Sequence, residues 1–209
     1  MADDKLLTEQ LFETDDAFKY EIIKEDVNGK KKYLIRGSFS KAGVVNKNKR
    51  LYPRNVMAES LKECTEMMSQ NRMVGELEHP ASPKINLERI SHKINKLELA
   101  EDGTLLGEME VLDTPTGKIL QTLIDSNVGL GVSTRGTGSV KKIKYQVKEG
   151  VFEDVLEVQP DFKLRAIDIV FDPSAGEFGT PQFVAEGLEL FNEPSNKITF
   201  GEVWGRLFS

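Results

Sequence analysis

The stretch "GVSTRG", residues 131–136, places a serine that could act as a nucleophile among glycines and beside an arginine. One interpretation of Ser133 is a turn, because serine next to glycine is common in turns. The other is a nucleophile presented to solvent at the end of a short strand. Four glycines lie between residues 129 and 138. Because glycine allows positive φ and leaves backbone N–H groups accessible, the N–H groups around Arg135 and Gly136 are candidate oxyanion donors.

A serine nucleophile needs a general base, and the chain has two histidines, His79 and His92. His79 stands in "GELEHP", where a short predicted strand ends and a proline fixes the next residue, so the imidazole lies at the edge of an element. His92 stands in "ISHKINK", an alternating strand, and shares a face with Ile90 and Ile94. It is therefore half-buried or tolerated near a sheet end. His79 is the better candidate, although a lone histidine is more often structural than catalytic.

A carboxylate would orient the histidine, and Asp168 in "RAIDIVFDPS" is the first candidate. An acid in an otherwise apolar strand is costly unless it is paired, and the Nδ1 proton of a histidine would pair it. The alternative is an acid that points to solvent from a one-sided sheet, and the sequence leaves both open. Glu78 is a poor partner for His79, because adjacent strand residues point to opposite faces. Glu76 is also less favoured.

Composition and charge exclude several classes of function. The 209 residues suffice for one sizeable core, and the net charge of -6 argues against a nucleic-acid-binding surface. The one cysteine, Cys64, cannot form an internal disulfide or a cysteine-rich metal site. No apolar run approaches a membrane span and the acidic start is no secretory signal, so we expect a soluble protein. A further alternative is a metal hydrolase whose ligands would be Glu76, Glu78, His79 and His92. The spacing of these residues matches no familiar ligand pattern, and adjacent strand residues rarely bind one ion. We therefore expect no metal or cofactor.

The elements that must position these side chains are mostly strands. A helix is predicted after Pro53, with an apolar stripe of Met57, Leu61, Cys64 and Met68, and a second after Thr114 and Pro115. The turn signals "EDG" and "KEG" each join two alternating segments into a hairpin. The sum is seven or eight strands and two helices, which indicates a β-rich α+β fold.

Four blocks in this order, "VVNKNKRLYP", "GELEHP", "GVSTRGTGS" and "DIVFDPSAG", resemble the prohead core protein proteases of large tailed phages. These are capsid-maturation serine proteases similar in fold to the herpesvirus assemblins, and the resemblance covers roughly residues 35 to 180. It implies a barrel of about seven strands surrounded by helices. It also implies that His79 is the general base, Ser133 the nucleophile and Asp168 the third member. Assemblins use a second histidine there, so Asp168 serves in its place or the site is a dyad.

The resemblance implies a role inside the immature phage head in the host cytoplasm. The family cleaves internal scaffold, the capsid protein and itself after glutamate, with an apolar residue two positions earlier. Glu13 in "LFET" and Glu186 in "FVAEG" fit this pattern. We therefore expect a loose N-terminal arm (1–30) with a first strand at "FKYEII", a protease domain (31–180), and a tail (181–209) removed by self-cleavage. Assemblins dimerise, so the resemblance implies that this chain associates with a second copy of itself. The alternative function is a catalytically inactive scaffold or core-assembly protein.

Overall fold

The computed structural model describes residues 6–10, 20–27, 30–46, 48–78, 80 and 82–170. The prediction of a β-rich protein with two helices is confirmed. The described part of the chain has eleven strands rather than seven or eight. In chain order these are β1 Leu6–Gln10, β2 Tyr20–Val27, β3 Lys30–Lys41, β4 Arg50–Leu51, β5 Val74–Glu76, β6 Ile90–Leu99, β7 Thr104–Val111, β8 Gly131–Thr137, β9 Val140–Lys148, β10 Val151–Val158 and β11 Lys163–Val170.

These strands form three sheets. The largest has the order β2-β3-β7-β6-β5 and is antiparallel throughout. A second sheet, β1-β8-β11, is antiparallel and carries Ser133 on its middle strand. The third has the order β4-β10-β9, and both predicted hairpins, β6–β7 and β9–β10, are present.

The expected closed barrel is not found among the described residues, and this part of the fold prediction is corrected. The large sheet meets the sheet of Ser133 where β5 ends, through the parallel bridge Leu77↔Ile169. β5 has only three residues, and Glu78 then adopts a positive φ of 68°. A residue in the left-handed region turns the chain away from the extended path. The pairing between the end of β5 and β11 is therefore limited to this bridge and does not extend into a ladder.

Both helices begin and pack as their sequences predict. Helix α1, Arg54–Ser69, begins after Pro53, and its predicted stripe is buried at Met57 and Cys64. Helix α2, Pro115–Asp125, is capped by Thr114, whose Oγ1 accepts a hydrogen bond from the Gly117 N–H at 2.9 Å. The Ser60 hydroxyl accepts the N–H of Leu164 at 2.7 Å and so fixes α1 against β11.

The core lies between α1 and the sheets, and Cys64 belongs to it. Tyr52 and Phe162 contact edge to face there, with ring centroids 5.2 Å apart. Burial raises the pKa of the Cys64 thiol to about 12, so this thiol stays protonated and is not a nucleophile. In the described part of the chain, no helix is long and apolar enough to cross a membrane.

The described residues before β3 form two strands, β1 and β2, where one first strand at "FKYEII" was expected. β2 pairs with β3 along its whole length, from Tyr20↔Gly37 to Val27↔Lys30. β1 pairs with β8, from Leu6↔Thr137 to Gln10↔Ser133. β1 therefore lies directly beside the strand that carries the candidate nucleophile.

Candidate active site

Ser133 is the third residue of β8, and its side chain is fully buried. The two interpretations drawn from the sequence, a turn and a serine presented to solvent, therefore both differ from the observed position. The register pairs Ser133 with Asp168 of β11 and with Gln10 of β1. Because directly paired residues of antiparallel strands share a face, the structure brings Ser133 and Asp168 together.

Asp168 is fully buried and makes a two-pronged ion pair with Arg135. The Arg135 Nε donates to Oδ2 at 2.8 Å and Nη2 donates to Oδ1 at 3.1 Å. Oδ1 also accepts the backbone N–H of Glu76 at 3.0 Å. The expectation that a buried Asp168 requires partners is met, and the alternative of a solvent-facing acid is wrong.

Arg135 is also fully buried, and its guanidinium connects three segments of the chain. Its Nη1 donates to the carbonyl oxygen of Ser82 at 2.7 Å and to that of Lys84 at 3.5 Å. Its Nη2 lies 3.4 Å from Glu76 Oε1. The side chain therefore holds the loop that follows His79 in sequence, while it pairs with a carboxylate on each of β5 and β11.

Glu76 is the residue of this cluster that the sequence did not single out as a structural partner. It is fully buried, its Oε1 accepts the N–H of Asn86 at 2.6 Å, and its Oε2 lies 3.5 Å from Arg89 Nε. Glu76, Arg135 and Asp168 are hereafter called the buried charge cluster. The available signal was an acid in each of two predicted strands, Glu76 and Asp168, together with Arg135 beside Ser133, because buried charges occur mainly in mutually neutralising sets.

Gly136 is required by packing rather than by its backbone angles. A Cβ at this position would lie 2.4 Å from the ring of Phe162 and 2.7 Å from the carbonyl oxygen of Lys163. The described glycines with positive φ are Gly43, Gly103 and Gly150, so the described glycines beside Ser133 do not use the positive φ that glycine allows. The register with β11 shifts between Leu164 and Ala166, which disrupts the ladder beside Arg135 and Gly136.

His92 is fully buried and bridges β6 to β11. Its Nε2 lies 2.8 Å from the carbonyl oxygen of Ile167, and its Nδ1 lies 2.9 Å from the Ser91 hydroxyl. A carbonyl oxygen only accepts, so Nε2 carries the proton and the neutral ring accepts from Ser91 at Nδ1. Burial lowers the pKa of His92, against the opposing effects of the Ile167 carbonyl and of Asp168. His92 is thus a structural histidine, more buried than its sequence indicated.

The depressed pKa of His92 makes stability depend on pH. Below about pH 6.5, the ordinary pKa of histidine, His92 of the unfolded chain binds a proton that the folded chain resists. The free energy of unfolding should therefore decrease as the pH is lowered through this range. We expect His92→Gln to remove up to about 1.4 kcal/mol per pH unit of this slope. Urea midpoints between about pH 5 and 8 would measure it. His79→Gln should retain the His92 contribution, and equal slopes in wild type and His92→Gln would contradict the assignment.

Three candidate residues, His79, Glu13 and Glu186, lie outside the described residues. The residue before His79 is described, however, and it is anchored to the strand of Asp168. The Glu78 N–H donates to the carbonyl oxygen of Ile169 at 2.8 Å. Glu78, the residue before His79, is therefore bonded to Ile169, which follows Asp168 on β11. β11 is also the strand that pairs with Ser133.

The metal-hydrolase alternative gains no support from the described side chains. Within the ranges given above, no group of three or more histidine, cysteine or acidic side chains is arranged to hold a metal ion. Glu76 is engaged with arginines and His92 with Ile167 and Ser91.

Comparisons with known proteins identify the family. Residues 16–189 match the family described as prohead core protein serine protease. The chain belongs to this family. It is 31% identical over 168 residues to the prohead core protein protease of Enterobacteria phage T4, covering 78% of this chain and 74% of that protein. A solved structure, that of the bacteriophage T4 capsid assembly protease, gp21, is similar with a TM-score of 0.65 and 26% identity, over 80% of this chain and 98% of that one.

The prohead protease family match contains most of the candidate residues. His79, Ser133, Arg135, Gly136, Asp168 and Glu186 lie within the matched range, and Glu13 precedes it. The resemblance drawn from four sequence blocks is therefore confirmed at the level of the family.

Proposed function

We propose that this chain is a serine endopeptidase that matures the phage head, with Ser133 as nucleophile, His79 as general base and Asp168 as the third member. The observation that carries the proposal is the direct pairing of Ser133 with Asp168 inside a chain of the prohead protease family. The bond of Glu78 to Ile169 adds to it, because it anchors the chain next to His79 beside the same two residues.

The proposed reaction is acyl transfer to Ser133. Its Oγ attacks the scissile carbonyl while His79 takes the hydroxyl proton and then gives it to the leaving amine; water releases the acyl group in the second half. Asp168 orients the imidazole while it also binds Arg135. Asp168 pairs with Arg135, and Glu76 pairs with both Arg135 and Arg89, so the proposed stabilisation of the imidazolium comes from the adjacent carboxylate of Asp168 itself.

The proposed oxyanion donors are backbone N–H groups around Arg135 and Gly136. Both residues pair with β1 on one side and with β11 on the other. Along an antiparallel strand, successive residues direct their N–H groups to alternate neighbours. One of the two N–H groups therefore faces β1, and the other faces β11 at its bulge.

The proposed substrates are the internal scaffold and the major capsid protein, cut after glutamate inside the immature head. We retain residues 31–180 as the proposed protease domain and 181–209 as a proposed removable tail. Incubation of the purified chain with a scaffold-derived Leu-Xaa-Glu peptide, read by mass spectrometry, tests the activity. Cleavage after glutamate by wild type and not by Ser133→Ala is the expected result.

Self-cleavage is expected after Glu13 and after Glu186. Both follow an apolar residue two positions earlier, Leu11 and Val184. Intact-mass measurement during incubation should show loss of residues 1–13 and 187–209. Glu13→Gln and Glu186→Gln should each block one cut and leave the other, while Glu63→Gln, inside α1, should change neither because a helix does not present an extended chain. A chain that stays intact while it cleaves the peptide would contradict this prediction.

The second candidate is an inactive scaffold or core-assembly protein, and the full burial of Ser133 favours it. Unchanged processing in Ser133→Ala proheads would support it. The proposed kinship with herpesvirus assemblins predicts that superposition places Ser133 on the assemblin nucleophile. The proposed self-association predicts a mass above that of one chain by light scattering.

A further inference from the structure

The strand that carries Ser133 has two edges, and both are occupied. β11 pairs with one edge, from Lys163↔Thr137 to Val170↔Gly131. β1 pairs with the other, from Leu6↔Thr137 to Gln10↔Ser133. β1 has no further partner in the described sheets and forms the outer strand. Of the two occupants, β1 is the one that can leave without opening the core, because β11 contributes buried Leu164, Ile167 and Ile169.

An exposed strand edge binds an extended peptide through main-chain hydrogen bonds. Proteases bind their substrates as extended chains, and the edge of β8 that β1 occupies runs directly past Ser133. A substrate segment added there as an antiparallel strand would take the place of β1. It would also meet whichever N–H of Arg135 and Gly136 faces that edge, which β1 now covers.

The register indicates that β1 obstructs this edge rather than being cut there. The residue paired with Ser133 is Gln10 and not a glutamate, whereas Glu13 stands three residues further along the chain. Moving a strand by an odd number of residues turns every side chain to the other face. A small slip of β1 therefore cannot bring Glu13 to Ser133 with the same face presented.

We propose that the outer edge of β8 is the docking surface for an extended substrate segment, and that β1 occupies it until residues 1–13 are removed. This inference rests on the proposed protease function. The cut is a hydrolysis: the Glu13–Thr14 peptide bond breaks, water supplies the hydroxyl of the new Glu13 carboxyl group, and the Thr14 amine takes the proton. Before the cut, the tether holds β1 near β8 at a high effective concentration; after it, the fragment is a free peptide and dissociates.

Adjacent prolines give a matched pair of variants for the test. Leu7 pairs with Gly136 and Thr8 with Arg135, and in an antiparallel ladder one of two adjacent residues directs its N–H to the partner strand. Proline removes that N–H. One of Leu7→Pro and Thr8→Pro therefore weakens β1 pairing, and the other is its control. Both are made in the Ser133→Ala chain, which cannot cut itself by the proposed mechanism.

The measured quantity is the Kd of a fluorescent Leu-Xaa-Glu peptide for the full-length chain. One proline variant should bind the peptide roughly three- to tenfold more tightly than the Ser133→Ala parent, as loss of one ladder hydrogen bond implies. Amide hydrogen exchange of residues 131–137 should rise in the same variant. If that variant is unfolded by circular dichroism, the second measurement decides: a synthetic peptide of residues 1–13, added to self-processed wild type, should inhibit competitively by raising KM at constant kcat.

The outcomes separate the two proposals. Equal peptide affinity in both proline variants and the parent, with no inhibition by the 1–13 peptide, overturns the docking surface while Ser133-dependent cleavage stands. Tighter binding in one proline variant without any Ser133-dependent cleavage overturns the protease function and leaves the docking surface supported.

Discussion

Replacement of Ser133 by alanine is expected to lower kcat for a Leu-Xaa-Glu peptide by about three to six orders of magnitude. The reason is that a histidine and a carboxylate without the nucleophile retain only binding and oxyanion stabilisation. The measurement is single-turnover cleavage of the peptide by purified wild-type and variant chains, with products identified by mass.

A second serine near the end of the same strand provides the control. Ser139 is exposed just beyond β8, and its hydroxyl bonds to Asp161. Ser139→Ala should keep kcat within about twofold, because surface substitutions away from buried networks change stability little. Cleavage by Ser133→Ala at the wild-type rate would show that another residue is the nucleophile.

The stability of the Ser133→Ala chain separates lost chemistry from lost folding. Ser133 is buried, so removal of its hydroxyl should change the free energy of unfolding by about 1 to 2 kcal/mol. A urea midpoint close to that of wild type, together with no cleavage, assigns the loss to the reaction. The same design applied to His79→Gln tests the proposed base.

Elements with local signals were predictable from the sequence. The Thr114 cap, the apolar stripe of α1 and the turn that joins β6 to β7 involve residues within a few positions of one another. Their interpretation needs only the helical or strand period and the chemistry of caps and turns. This is why both helices and both hairpins are found where the sequence placed them.

Pairing between distant segments was not predictable, and the site depends on it. β1 and β8 are separated by most of the chain, and no local pattern in "LLTEQ" specifies a partner. The burial of Ser133 therefore could not be predicted from the sequence, which indicated a turn or an exposed strand end. The alternation of "ISHKINK" likewise gave the face of His92 but not its contact with Ile167, which belongs to another sheet.

The environment of Asp168 was predictable in part from the sequence. An acid in an apolar strand needs a partner, and this requirement was correct. Its described partners are Arg135 and the N–H of Glu76. The histidine that the sequence proposed, His79, lies outside the described residues, so that pairing stays a prediction. Arg135 stands two residues after Ser133 and so shares its strand face, but only the register between β8 and β11 places it against Asp168.

Arg135→Met is expected to lower the free energy of unfolding by about 3 to 5 kcal/mol, a large share of the stability of an ordinary domain. The substitution leaves Asp168 and Glu76 buried without the cation that both contact. Urea titration at neutral pH measures the loss. Lys62→Met is the control, since the exposed pair of Lys62 and Glu59 should contribute less than about 1 kcal/mol. A loss of similar size in both variants would contradict the role of the cluster.

Charge and geometry of Arg135 can be separated by two further variants. Arg135→Lys keeps the charge but offers one ammonium in place of the planar fork that bonds both oxygens of Asp168 and the carbonyl of Ser82. It should remain less stable than wild type. Arg135→Met combined with Asp168→Asn and Glu76→Gln leaves no buried charge in the cluster and should recover much of the loss, because unpaired charge rather than missing attraction dominates the cost. If the neutral triple variant is as unstable as Arg135→Met, the fork's hold on the 82–84 loop is the larger contribution.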